Sequence, residues 1–227
     1  MADEEALSLH QERMRRMKLR MLLFTITIVC ASLLSAGQVL SQENKAKGKE
    51  DAKPAADMQE MMKKWAEIAT PGEGHKLLDQ FVGKWDTVMR MWAEGPGKPP
   101  AESKGASELK WIMDGRYLLE ESSGQMMGMS YRAMTIQGYD NFKKKYVFSY
   151  IDNMGTAIYT GEGKFDMGNK VLSSYGRMDD PMTGEHDKTV KYVTRVLGKD
   201  KYVFEIYDEV GGPNEFKALE ITYTRKP

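Results

Sequence analysis

The sequence predicts an all-β fold: a ten-stranded antiparallel meander closed into a barrel and preceded by two short helices. Three observations predict it. From Val82 onward the apolar residues recur with a period of two, the spacing of a strand with two distinct faces. Ten short runs of this kind follow at nearly regular spacing, with turn residues between them and few helical stretches. An aromatic at the start of the first run and an arginine near the end of the last suit a sheet whose outer strands meet, and closure removes unpaired edges.

Composition narrows the function classes. A chain of 227 residues has room for one ordinary domain and an extension, and 41% hydrophobic with 29% charged residues excludes both a disordered chain and a polytopic membrane protein. Lys+Arg 33 balances Asp+Glu 33, which argues against a nucleic-acid binder that relies on a basic field. One Cys and three His are too few for a Cys/His zinc site. No metal and no cofactor are expected.

The amino end is read as an export segment, residues 1–41. Arg13, Arg15, Arg16, Lys18 and Arg20 precede an uncharged stretch from Met21 to Leu40, the order of a secretory signal. Cleavage after Gly37 or Ser41 is one reading. The other is an uncleaved anchor, since twenty residues just span a ~30 Å hydrocarbon core. Either way the basic flank stays in the cytoplasm and the remainder lies outside it, with membrane contact only through residues 21–40. Cys30 does not read as a lipidation site, because branched Val29 precedes it. Residues 42–56, rich in Lys, Glu, Ala and Gln, read as a flexible linker, and residues 57–227 as the barrel domain.

Met58, Met61, Met62, Trp65 and Ile68 fall on one face of a helix that Pro71-Gly72 ends. Thioethers also suit Cu(I), but core packing is the expected use of this stripe. Leu77, Leu78 and Phe81 predict a second, shorter helix. Strands are predicted near 82–93, 103–113, 116–124, 131–139, 144–152, 155–165, 169–177, 188–197, 201–208 and 215–225. Asp114-Gly115, Asp152-Asn-Met-Gly155, Met167-Gly-Asn169, Asp180-Pro-Met-Thr-Gly184 and Gly211-Gly-Pro-Asn214 supply the turns. Several strands are apolar on both sides, which a barrel partly covered by the helices would explain. Alternation alone leaves open which face is the lumen.

Gly83-Lys84-Trp85 opens the first strand, and Arg225 lies near the end of the last. Trp85 is expected to seal the barrel floor, with the Arg225 guanidinium over its ring or on nearby carbonyls. The pairing resembles the Gly-x-Trp and terminal arginine of lipocalin-like (calycin) barrels, which implies a closing role for both residues. His75-Lys-Leu-Leu, Phe81-Val-Gly-Lys-Trp85, Gly115-Arg-Tyr-Leu-Leu-Glu120, Gly138-Tyr-Asp-Asn141, Tyr150-Ile-Asp152, Asp180-Pro, Glu205-Ile-Tyr207 and Glu220-Ile-Thr-Tyr-Thr-Arg225 occur in this order. Over roughly residues 58–227 this set resembles the bacterial family called domain of unknown function 1579. The resemblance implies the fold and, because members commonly carry signal sequences, export; it implies no activity.

No recognised catalytic motif stands out. Glu120 and Glu121 are adjacent in a strand and point to opposite faces, so they do not act together. Asp179-Asp180-Pro reads as a turn. His186 sits in a polar loop; a calycin barrel can bind haem through one histidine, but an exposed loop residue is the expectation here. Gly124-Gln-Met-Met-Gly-Met-Ser130 reads either as an apolar lid or as a plain hairpin turn.

Trp111, Arg116, Tyr139, Tyr150, Glu205 and Tyr207 are the candidate ligand-binding residues, with Arg116 or Arg195 as partner for a buried Glu205. A filled core with a structural ion pair is the alternative. Three functions follow as expectations. The first is a non-catalytic binder of a small apolar or amphipathic ligand. The second is an enzyme using Glu205, Tyr207 and Arg116 inside the barrel. The third is an interaction module that uses helix 58–68. The Gly95-Pro-Gly-Lys-Pro-Pro connection carries no helix, which separates the chain from intracellular fatty-acid binders with their helical lid.

Overall fold

A computed structural model of the protein describes residues 52–227 apart from Met182. The export segment 1–41 and most of the linker lie outside the described residues. Two helices, α1 (Ala52–Ala69) and α2 (Glu73–Lys76), and a 3-10 turn at Asp79–Phe81 precede ten strands. These are β1 (Gly83–Met91), β2 (Ala101–Ile112), β3 (Tyr117–Met126), β4 (Met129–Asp140), β5 (Lys145–Asp152), β6 (Tyr159–Asp166), β7 (Val171–Asp180), β8 (Glu185–Gly198), β9 (Lys201–Asp208) and β10 (Phe216–Arg225). Each strand pairs antiparallel with its sequence neighbour, and β1 pairs with β10, so the sheet is a closed barrel. The predicted meander and its closure are what the structure shows.

The closing seam places Trp85 opposite Arg225. Trp85 is 1% exposed and donates its indole N–H to the Phe81 carbonyl at 2.9 Å. The Arg225 guanidinium lies 4.1 Å from the Trp85 ring centroid and donates to the carbonyls of Val82 at 2.7 Å and Gln80 at 2.8 Å. The arginine thus does both jobs expected of it: it stacks on the ring and ties the entry segment to the last strand. Gly83 is needed for this. Its φ is +128°, and a Cβ there would sit 2.6 Å from Arg225 Nη1.

Around that seam lies the floor of the barrel. Leu78, Phe81, Trp85, Leu109, Leu118, Tyr146, Leu172, Tyr202 and Tyr223 form one buried cluster. Tyr202 stacks on Tyr223 at 4.2 Å, and Trp85 meets Tyr202 edge-on at 4.7 Å. The predicted second helix is one turn of α2 followed by the 3-10 turn, which inserts Leu78 and Phe81 as a plug. His75 is buried there and accepts the Gly72 N–H on Nδ1 at 3.1 Å. A smaller cluster of Met89, Tyr131 and Ala133 sits toward the opposite end.

Two expectations are corrected. Helix α1 begins at Ala52, so the last residues of the segment read as linker are helical. Its apolar stripe is not core: Met58, Met61, Met62, Trp65 and Ile68 are 40–68% exposed. Helical periodicity reports one apolar face and does not say what covers it. Asn141 fixes the end of α1 by donating to the carbonyls of Ile68 at 2.9 Å and Thr70 at 2.7 Å. The Met-rich loop is a tight hairpin turn, with Met127 at φ 52° and Gly128 at φ 77° between β3 and β4. Met127 and Met129 are exposed, while Met126 packs inward.

Candidate functional site: an internal cavity

Strand alternation and closure send one face of each strand into a cavity of about 320 Å³. Its wall is mostly aromatic and aliphatic, with Phe148, Tyr192, Phe204 and Ile221 around the middle and Tyr202 and Tyr223 at the floor. That volume is roughly twice the ~150 Å³ that admits a benzene ring. It falls at the small end of the range of ligand sites.

Polar side chains enter this wall from most strands, among them Gln125, Thr135, Gln137, Ser174 and Thr194, and two carboxylates anchor hydrogen-bonded groups. Glu120 Oε1 accepts three hydroxyl hydrogen bonds, from Ser107 at 2.6 Å, Tyr223 at 2.9 Å and Ser122 at 3.1 Å. Nearer the far end, the Tyr150 hydroxyl donates to Asp152 Oδ2 at 2.7 Å and lies 2.9 Å from the Tyr131 hydroxyl. Asp152 Oδ1 takes the backbone N–H groups of Met154 and Gly155, so both its oxygens are engaged. Burial raises the Tyr131 hydroxyl above its usual value and pushes the Tyr150 hydroxyl well above the usual phenol range, and the charge of Asp152 adds to both shifts. Burial also moves Tyr192 up to about 12. At neutral pH these hydroxyls are therefore donors within an apolar wall.

Of the six residues expected to hold a ligand, only Tyr150 lines this cavity. Trp111 points toward the floor cluster and donates its indole N–H to Asp79 at 2.8 Å. Tyr139 is at the same end, edge-on to Tyr146 at 5.0 Å and to His75 at 5.9 Å. Arg116 belongs to the β2–β3 turn, where it donates to the Met113 carbonyl at 3.3 Å. Glu205 and Tyr207 are out of phase with the cavity residues Phe204 and Ile206 and lie on the outer face of β9.

Glu205 is buried at that outer position, 6% exposed, with Arg195 at 2.8 Å, Lys217 at 3.1 Å and the Tyr207 hydroxyl at 3.2 Å. Burial alone would raise its pKa, but hydrogen bonds from Arg195 and Lys217 outweigh it, and the carboxyl is held below its usual range. The expected partner Arg195 is therefore present, in an ion-pair cluster outside the barrel. Enzyme chemistry by Glu205, Tyr207 and Arg116 inside the barrel requires all three to converge there; Glu205 and Tyr207 touch on the outer face, Arg116 lies apart in the β2–β3 turn, and none of them lines the cavity. His186 is exposed at the start of β8, beside Asp179 of β7, and does not line the cavity; the polar-loop placement is corrected to a strand end. Glu120 and Glu121 do face opposite ways: Glu121 pairs with Lys110 outside while Glu120 lines the cavity.

Comparison with known proteins places this barrel. No curated protein matches the chain. Among solved structures, that of Rv2717c from M. tuberculosis aligns with a TM-score of 0.50 at 12% identity, over 70% of this chain and 100% of that one, a likeness of fold alone. A redesigned beta barrel aligns over the same shares at 11% identity with a TM-score of 0.33. A family profile described as "Protein of unknown function (DUF1579)" matches residues 70–225, from the entry to α2 through Arg225, and the chain belongs to that family.

Proposed function

We propose that the protein is an exported, non-catalytic binder of a small apolar or amphipathic molecule held inside the barrel. The observation that carries this reading is the cavity itself: about 320 Å³ within the barrel, lined by more apolar than polar surface. Interiors normally pack to crystal-like density, so an apolar void of this size is stability forgone unless something occupies it. Native mass spectrometry of the protein purified from its own host tests the reading. An adduct of a few hundred daltons or less, released on activation, is the expected result. Protein that leaves the host empty and takes up neither an added alkanol nor an added alkylamine overturns it.

Export is supported by the order of basic cluster, apolar stretch and small residues at 1–41. Among the described residues, no helix is long and apolar enough to cross a membrane. Cell fractionation with amino-terminal sequencing checks it: a new terminus after Gly37 or Ser41, or an intact chain in the membrane fraction, agrees. Soluble, uncleaved protein in the cytoplasm refutes export.

A second reading, an interaction module, is favoured by the exposed Met58, Met61, Met62, Trp65 and Ile68 stripe on α1. A photo-crosslinker at position 62 in living cells should give one discrete adduct under this reading. A smear or no adduct counts against it.

A further inference from the structure

We infer that the cavity selects an amphipathic amine, with Glu120 receiving the ligand's N–H head group; the inference rests on the binder reading above. The Glu120 carboxylate is fixed by Ser107, Ser122 and Tyr223, all of which donate to Oε1. Oε2 has no hydrogen-bond partner among the described residues, and it is not sealed from solvent-sized space. A carboxylate oriented by three hydroxyls on one oxygen, with the other left open, is a ready acceptor.

Charge in the cavity has one sign. Glu120 and Asp152 are its ionisable carboxyls, and both oxygens of Asp152 already accept hydrogen bonds from the protein. Lys104 is the single lysine or arginine among the lining residues, and alternation from Ser103 and Gly105 puts its side chain on the outer face. The barrel's other inward-phased cations are committed elsewhere. Lys188 is held by Asp208 at 2.8 Å and Asp180 at 3.2 Å, and Arg225 lies against Trp85.

A carboxylate-headed amphiphile would bring its charge beside Glu120 without a cation to meet it. A protonated amine would donate to the open Oε2 and meet the carboxylate charge. Size limits the rest of the molecule to a short chain or one to two rings.

The experiment is calorimetric titration of the host-purified protein, dialysed free of small molecules, with octylammonium, 1-octanol and octanoate at pH 7. The amine is expected to bind at least about ten-fold tighter than octanoate, the scale of one charge-assisted hydrogen bond. In Glu120→Gln, which keeps an acceptor for the three hydroxyls, the amine should lose about ten-fold while octanol changes by less than about three-fold. Octanoate binding as tightly as the amine in the unmodified protein overturns the inference and leaves the binder reading standing, as does an amine preference that survives Glu120→Gln. Binding of none of the three overturns both.

Discussion

Replacing Arg225 with alanine should destabilise the barrel more than any other single surface-reaching change. The side chain makes two short hydrogen bonds to the carbonyls of Val82 and Gln80 and covers the ring of Trp85, itself 1% exposed. Bonds from a charged donor contribute about 1.5–3 kcal/mol each, and a desolvated cation–π contact about 2. One side chain makes all three, so the terms do not add, and water reaching the freed carbonyls returns part of the loss. A net loss of about 3–4 kcal/mol is expected, a large share of the ~5–15 kcal/mol a domain has. Arg225→Lys keeps the charge but not the fork and should fall between, near about 2 kcal/mol. Asp200, which pairs with Arg225 at 3.2 Å while 65% exposed, is the control: Asp200→Ala should cost no more than about 0.5 kcal/mol. Urea unfolding followed by far-ultraviolet circular dichroism measures all three, with the slope against urea unchanged. An Arg225→Ala loss under about 1 kcal/mol, or one equal to that of Asp200→Ala, refutes the closure reasoning.

Gly83→Ala should cost about 2–3 kcal/mol, since it combines a positive φ with a clash on Arg225; in an Arg225→Ala background the clash is gone and the penalty should shrink, which a thermal-melt cycle reads. Stability should also fall as pH drops below the usual histidine value of 6.5. Burial, and secondarily the charge of Arg116, lowers the pKa of His75, so the unfolded chain takes up a proton in that window that the folded one does not. His75→Leu should flatten this part of the profile, and an unchanged slope refutes it. A second loss is expected below the usual glutamate value of 4.5. The depressed Glu205 stabilises the fold above that value and loses this contribution as pH falls through its folded pKa, so Glu205→Gln should blunt the acid limb.

The strands and the closing seam were legible because their signals are local. Period-two runs end at turn residues that the structure uses: the Asp152 side chain takes the N–H groups of Met154 and Gly155, and Asp166 those of Gly168 and Asn169. The lumen was not legible, because both faces of β8 and β9 are buried in places. Val193 and Glu205 are buried on the outer side while Tyr192 and Tyr202 are buried within. Lys191 over Tyr207 and Lys217 over Trp92 add aromatic surface outside. Parity cannot be counted across the connecting turns either, since bulges at Val196/Gly198 and Lys217/Leu219 shift the register. Glu205 and Tyr207 therefore read as inward when they are outward. Alternation puts Glu120 on the same face as Leu118, but the pattern does not say that this face is the lumen, which only closure of the barrel reveals.

The hollow interior is the claim on which the rest depends, and filling it is the direct test. Thr135 lines the cavity between Glu120 of β3 and Tyr150 of β5. Calorimetric titration of octylammonium into the unmodified protein and into Thr135→Trp compares an open cavity with one occupied by an indole. The account predicts a variant that keeps its far-ultraviolet spectrum and binds at least about ten-fold more weakly. A folded Thr135→Trp that binds as tightly as the unmodified protein would place the ligand elsewhere and contradict it.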